Sequence, residues 1–198
     1  MPKRVDPDAA RASIARAACA AIADRGIHRV RMVDIAEAAG VTTGMITNYF
    51  DGKDEIIAAA LRIPFETLRA KIEARIEDGE TDLAELLDPA IPSTAEQFSE
   101  TATWVSFWGL LAAEPDLRPL NAELHREGAE IFGAAIRTAW PETREIPKGR
   151  FEDLRVAITT FVFGLSAGGV TSPETWTPYV QRDQLRRYLT GLRAYSPV

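Results

Sequence analysis

Apolar residues recur along most of this chain at the three- and four-residue spacing of a helix face. The period-two alternation of a half-buried strand persists nowhere. The pattern therefore predicts an all-α protein. Asp6-Pro7 opens a first helix, since Asp caps a helix start and Pro is tolerated in the first turn. That helix runs to about Arg25 and carries Ile14, Ala18, Ala21 and Ile22 on one face. Met32, Ile35, Ala36 and Ala39 predict a short second helix. Gly40 can take the left-handed conformation that ends it, Val41 plugs the angle, and Thr42 caps a third short helix from Thr43 to about Tyr49. Asp51-Gly52 closes that helix and starts a long connecting one carrying Ile56, Ile57, Ala60, Leu61, Phe65, Leu68, Ile72 and Ile76. Pro64 lies inside it, removing one hydrogen bond and crowding the preceding turn, so a kink or break is expected near Ile63. Glu77-Asp78-Gly79 ends the element. Prolines punctuate five further helical stretches, expected over about 82–88, 94–113, 117–139, 150–170 and 178–194. The expectation is about nine helices: a three-helix head over residues 1–52 and a larger helical bundle over 53–198.

Two short helices joined by a tight turn, the second small and polar on its outer side, fit the major groove of double-stranded DNA. Thr43, Met45, Thr47 and Asn48 are placed to meet base edges. Asn offers both donor and acceptor to adenine, and the Thr and Met methyl groups suit thymine methyls. Thr42, Tyr49, Lys53, Arg31 and the basic arm Lys3-Arg4 are placed to meet phosphates. Phe50 reads as core, and Tyr49 as a packed ring with its hydroxyl outside.

The same residues carry a resemblance. Gly26, the run Ile35-Ala36-Glu37-Ala38-Ala39-Gly40-Val41-Thr42-Thr43-Gly44, Tyr49-Phe50 and Lys53-Asp54 are similar to the DNA-binding segment of the TetR family of bacterial regulators. Two positions depart from that pattern. Arg31 stands where the family has a capping Ser or Thr, and Thr47 where many members have a phosphate-contacting Tyr. Farther on, Trp104-Val-Ser-Phe-Trp-Gly-Leu-Leu-Ala-Ala-Glu-Pro, Leu120-Asn-Ala-Glu-Leu-His-Arg and Phe163-Gly-Leu-Ser-Ala-Gly-Gly resemble the C-terminal domain of the family's BetI-type subgroup, choline-responsive repressors. The resemblance implies a repressor that binds a palindromic operator as a homodimer and is released by a small-molecule inducer. It also implies that the last two helices form the two-fold interface.

The body holds an aromatic cluster: Phe98, Trp104, Phe107, Trp108, Phe132, Phe161, Phe163 and Trp176. Glu100, Trp104 and Trp108 share a helical face, and an acid beside tryptophan rings suits a quaternary ammonium or amphipathic cation. Phe107, His125, Phe132 and Phe161 are further candidates for the same pocket. Aromatics at helical spacing also simply fill cores, and that reading stands beside the cation cage. Gly164, Ala167, Gly168 and Gly169 form a small-residue strip that can face a partner, a ligand, or a fraying helix end before Pro173.

Charge sharpens the division of labour. The net charge is −6 overall, but residues 1–50 carry +2 and the remainder −8, which suits a DNA reader whose body stays off the phosphates. The single cysteine, Cys19, falls among alanines and reads as a small core residue ahead of a redox sensor. No signal-like apolar start and no membrane-length apolar run is visible, so a cytoplasmic protein without membrane contact is expected. There is no nucleophile elbow, no phosphate loop, no paired-histidine motif and only two His; no enzyme activity, metal or cofactor is expected. Two rival readings remain in the residues: a helical ligand carrier or enzyme with an idle helical corner, and a regulator without small-molecule input.

Overall fold

The computed structural model describes residues 6–113 and 117–195. Among these lie nine α-helices and no strand: α1 Pro7–Arg25, α2 Met32–Ala39, α3 Thr43–Ile46, α4 Lys53–Glu77, α5 Leu83–Leu87, α6 Ala95–Ala113, α7 Arg118–Ala139, α8 Lys148–Thr171 and α9 Pro178–Tyr195. Short 3₁₀ turns cover Asp88–Ala90 and Pro141–Arg144.

Local chemistry accounts for most of these boundaries. The Asp6 carboxylate accepts from the Asp8 backbone N–H at 3.1 Å and caps α1. Gly40 ends α2 at φ 66°, the left-handed conformation a Cβ would resist. Thr94 and Gln97 cap α6: the Thr94 hydroxyl accepts from Gln97 N–H at 3.2 Å, and the Gln97 amide oxygen accepts from Thr94 N–H at 3.1 Å.

Two expected boundaries differ. The third helix is only one α turn. Beyond Ile46 the chain continues through i→i+3 bonds, Asn48 N–H to Met45 and Tyr49 N–H to Ile46, so the last turn tightens instead of extending. The expected break at Pro64 is absent, and α4 runs through it as one helix of 25 residues. Ile63, Pro64 and Phe65 are all buried there, so packing offsets the missing bond to the carbonyl one turn back.

α1 is the hub. It packs on α2, α4 and α6, and the buried residues form one cluster running from Ile14 to Leu189. Head and bundle therefore share a core. Where α1 meets α6, the fully buried Thr103 hydroxyl donates to the Cys19 carbonyl at 2.9 Å, and the Cys19 thiol lies 3.4 Å from the same oxygen. Burial pushes that thiol up to about 11, so it remains protonated and unreactive near neutral pH.

α8 is more apolar than its place in the sequence suggested. It is long and apolar enough to cross a membrane by composition, with an 18-residue stretch of mean hydropathy 1.4, of which only 33% is buried in the chain. Its inner side fills the core with Phe151, Leu154, Ile158, Val162 and Leu165. Its outer side exposes Asp153 and then a stripe of Val156, Thr160, Gly164 and Thr171.

The small-residue strip splits into separate jobs. Gly164 faces open space, Gly168 lies under the Trp176 ring, and Gly169 is wedged against Gln181 and Pro92. A Cβ on Gly169 would lie 2.5 Å from Gln181 Nε2 and 2.9 Å from Pro92 Cγ. The Gln181 side chain is fully buried and donates to the Trp176 carbonyl at 2.8 Å, so it cannot swing aside. Gly169→Ala is expected to cost about 1–3 kcal/mol by overpacking. Gly109→Ala, with open space around it, should be neutral or stabilising. Urea melts of the two variants beside the parent check this; equal midpoints would show that the α8–α9 corner is loose.

Candidate nucleic-acid interface and ligand cavity

The head presents a small outward surface on a rigid base. Ile46 and Phe50 are buried and fix α3 to the head core, while Thr42, Thr43, Met45, Thr47 and Asn48 are all exposed. The Thr42 hydroxyl accepts from Met45 N–H at 3.2 Å, so it is the α3 cap as well as a surface group. The Thr47 hydroxyl donates to the Gly44 carbonyl at 2.9 Å, which leaves its methyl as the part free to meet a base. Tyr49 packs its ring against the core while staying half-exposed. Lys53 begins α4 and is half-buried. Lys3 and Arg4 lie outside the described residues.

Arg31 does not cap α2 with its own side chain. The Asp34 carboxylate does the work instead, accepting from the Arg31 backbone N–H at 2.8 Å. It also receives the Arg31 guanidinium at 3.1 Å and that of Arg25 at 3.1 Å. These partners, Arg31 first, hold the buried Asp34 carboxyl down to about 2. Because the folded value lies below the ordinary carboxylate value of about 4, the stability it gives is present above that value. It is lost as pH falls through about 2.

One head residue escaped the sequence reading. Arg11 on α1 donates to the Tyr49 carbonyl at the end of the recognition segment. It pairs with Glu55 on α4 at 2.6 Å and lies over the Phe50 ring at 4.3 Å. Glu55 in turn accepts from Asp51 N–H at 2.7 Å. These contacts hold the Glu55 carboxyl below its usual range, the Arg11 bond first. The partners of Arg11 are 38 and 44 residues away, so no local spacing signals them.

In the body, α4, α6, α7 and α8 enclose a cavity of about 70 Å³. Phe65 and Leu68 from α4, Trp104 and Trp108 from α6, and Phe163 from α8 give it a largely apolar wall. Phe65 meets Trp104 edge-on at 4.7 Å, and Trp108 tilts against Phe163 at 6.1 Å. The predicted shared face of Glu100, Trp104 and Trp108 does point into this cavity, and His125 stands at its exposed rim, with Nδ1 2.9 Å from the Asn121 carbonyl.

Three of the expected ligand residues are elsewhere. Phe107 and Phe132 are fully buried behind the wall, Phe107 against Trp104 at 5.4 Å and Phe132 against Phe163 at 5.8 Å. Phe161 leaves the cavity altogether and stacks on Tyr188 at 3.9 Å, joining α8 to α9. Phe98 and Trp176 line a separate surface groove with Pro92, Pro173 and Pro178. The spacing along α6 was informative because three residues on one helix share a face by geometry. The others depended on how separate helices rotate against each other. Lys71 was also missed: it lines the cavity from α4, two turns below Pro64.

Burial holds the Glu100 carboxyl above its usual range, against the opposing influence of a Thr67 hydrogen bond and the Lys71 charge. Gln97, though at the wall, is committed: its amide oxygen caps α6 and its nitrogen donates to the Pro89 carbonyl at 3.2 Å.

A helix-turn-helix with an exposed polar outer side, fused to a helical body around an aromatic cavity, defines a DNA-binding regulator with a ligand chamber. Residues 14–60 match the model of bacterial regulatory proteins of the tetR family, and residues 79–194 match that of the BetI-type transcriptional repressor C-terminal domain. The chain belongs to the TetR family of transcriptional regulators and carries a BetI-type C-terminal domain.

Relatives are distant. PksA of Bacillus subtilis is 27% identical over 59% of this chain and 58% of its own length. The chain thus spans under two thirds of that relative. BetI of Escherichia coli is 25% identical over 96% of this chain and 97% of its own length. A solved transcriptional regulator from Saccharomonospora viridis, in complex with choline, superposes with a TM-score of 0.72 at 22% identity. That match covers 92% of this chain and 96% of that one.

Proposed function

We propose that this protein is a homodimeric repressor whose two heads, residues 1–52, grip a near-palindromic operator. Residues 53–198 supply the ligand chamber and the dimer interface. Groups on the α3 surface, Thr43, Met45, Thr47 and Asn48, read bases. Arg31, Thr42, Tyr49 and Lys53, with the arm residues Lys3 and Arg4, meet phosphates. A small inducer with a cationic group occupies the cavity at Trp104, Trp108 and Glu100. Aromatic faces and a carboxylate attract such a group. The volume of about 70 Å³ favours a ligand of few heavy atoms, since drug-sized pockets run from about 300 to 1,000 Å³. The choline complex of the structural neighbour supports this ligand class. A site in the cytoplasm follows from a role on chromosomal DNA.

One observation carries the mechanism. The two helices that line most of the cavity, α4 and α6, are the same two that pack on α1 of the head. Two recognition segments must lie about 34–36 Å apart to enter successive major grooves. A ligand that binds better to a body conformation with another separation draws the population off DNA, and only that difference in affinity can do so.

The test is fluorescence anisotropy on operator DNA from around the protein's own gene. Lys53→Ala should weaken all sequences alike and reduce the salt slope by about one unit. Asn48→Ala should relax preference at one base position, a discrimination of about 1–3 kcal/mol. A saturating trimethylammonium compound should release the DNA. Variants indistinguishable from the parent on every sequence would remove α3 as the reading surface.

A further inference from the structure

Most polar groups in the chamber wall are engaged by the protein itself. Glu100 on α6 is held by Thr67 and faces Lys71, both on α4, so these charges match each other. The Ser166 hydroxyl donates to the Ala90 carbonyl at 2.7 Å, and the Gln97 side-chain nitrogen to the Pro89 carbonyl at 3.2 Å. Thr101 brings a hydroxyl that can take either role in a hydrogen bond. His125, reaching the rim from α7, brings a group whose role is fixed.

The contact of its other ring nitrogen fixes it. Nδ1 lies 2.9 Å from the Asn121 carbonyl, one turn earlier on the same helix. A carbonyl can only accept, so Nδ1 carries the proton. In a neutral imidazole that leaves Nε2 with a lone pair. Among the described residues Nε2 has no hydrogen-bond partner. With Nδ1 turned back onto its own helix, Nε2 is the polar atom the ring offers to a bound molecule, and it offers an acceptor.

Trp104 and Trp108 suit the cationic group of a ligand but do not select its other end. An acceptor of fixed sign does. A hydroxyl or an N–H can donate to it. A methyl group cannot, and a carboxylate sets lone pairs against a lone pair. We infer that His125 selects the ligand, accepting at Nε2 a hydrogen bond from a hydroxyl or N–H group joined to the cation by a short chain, and discriminating against ligands that end in a carboxylate. This rests on the proposed cation chamber and assigns the residue that reads the far end of its ligand.

Calorimetric titration of the full-length protein tests it with three probes sharing one trimethylammonium group. Choline ends in a hydroxyl, n-propyltrimethylammonium has a methyl group in its place, and glycine betaine ends in a carboxylate. On the parent, choline should bind more tightly than glycine betaine. His125→Phe keeps a flat ring and removes both nitrogens. It should weaken choline about three- to tenfold, the worth of one hydrogen bond, and leave the propyl probe unchanged. The chain has only two histidines, so nitrogen NMR of the isotope-labelled parent reads the His125 ring directly. Under mildly alkaline conditions its proton should be found on Nδ1, and the Nε2 signal should move on addition of choline but not of the propyl probe.

Glycine betaine binding the parent as tightly as choline would overturn the inference while leaving the cation chamber standing. So would a proton on Nε2, or a choline affinity that in His125→Phe either holds or falls together with that of the propyl probe. Absence of heat from all three probes would overturn both. The NMR measurement is made on the parent protein, so a poorly folding variant does not decide the outcome.

Discussion

Val156→Arg should turn the protein into a monomer and weaken operator binding by about 10²–10⁴-fold, the advantage that linking two half-site contacts confers. The outer stripe of α8 is the reason. Val156 is 51% exposed, and with Thr160, Gly164 and Thr171 it forms an uncharged line that starts one turn after the exposed Asp153 and runs along the side of α8 opposite its core residues. Gly164 meets nothing, so a second helix can approach closely there. An arginine at the start of this stripe puts a long charged side chain into the contact, and it must lose water there for the helices to meet, which disfavours association. The inner side of α8 is untouched, so the fold should survive. Sedimentation equilibrium and anisotropy on the same preparation read both effects. A dimer that persists in Val156→Arg at micromolar concentration would move the interface off this stripe.

Arg11→Ala should weaken operator binding about tenfold or more without changing the salt slope. Arg11 ties the Tyr49 carbonyl, Glu55 and the Phe50 ring together, and so fixes the end of the recognition segment to α1 and α4. Removing it takes the Arg11 donor from the Tyr49 carbonyl and leaves the Glu55 carboxylate with the Asp51 N–H alone. Part of that loss appears as a recognition segment that no longer holds one orientation. A residue that touched phosphate would lower the salt slope by about one unit on removal; a positioning residue leaves it alone. Arg11→Lys keeps the charge but not the fork, and should behave nearly as the alanine variant does. Full affinity in Arg11→Lys, or a lowered slope in Arg11→Ala, would give Arg11 a direct electrostatic role instead.

Local signals in the chain were sufficient wherever a few neighbouring residues decide the outcome. The caps at Asp6 and Thr42, the left-handed Gly40 and the apolar face of Met32, Ile35 and Ala36 act over one helical turn. The candidate reading surface is legible for the same reason, since α3 is so short that nearly every residue except Ile46 is exposed. Pro64 misled because the propensity penalty of a proline is local, whereas the burial that outweighs it comes from helices far along the chain. The candidate cavity was half legible. One helix face could be read from spacing, but Phe107 and Phe132 lie on sides of their helices that only packing turns away from the chamber.

The sequence by itself determined the helices, the family and the outer face of the reading head, because periodicity, capping and a contiguous motif are properties of adjacent residues. Tertiary structure alone decided which residues meet across distance. It brought Arg11 to Tyr49 and Glu55, set Thr103 beneath Cys19, sent Phe161 to Tyr188, and placed Lys71 in the same chamber as Glu100. Each of those meetings depends on the rotation and separation of two helices. That geometry is set by the packing of the whole core and is encoded at no single position in the chain.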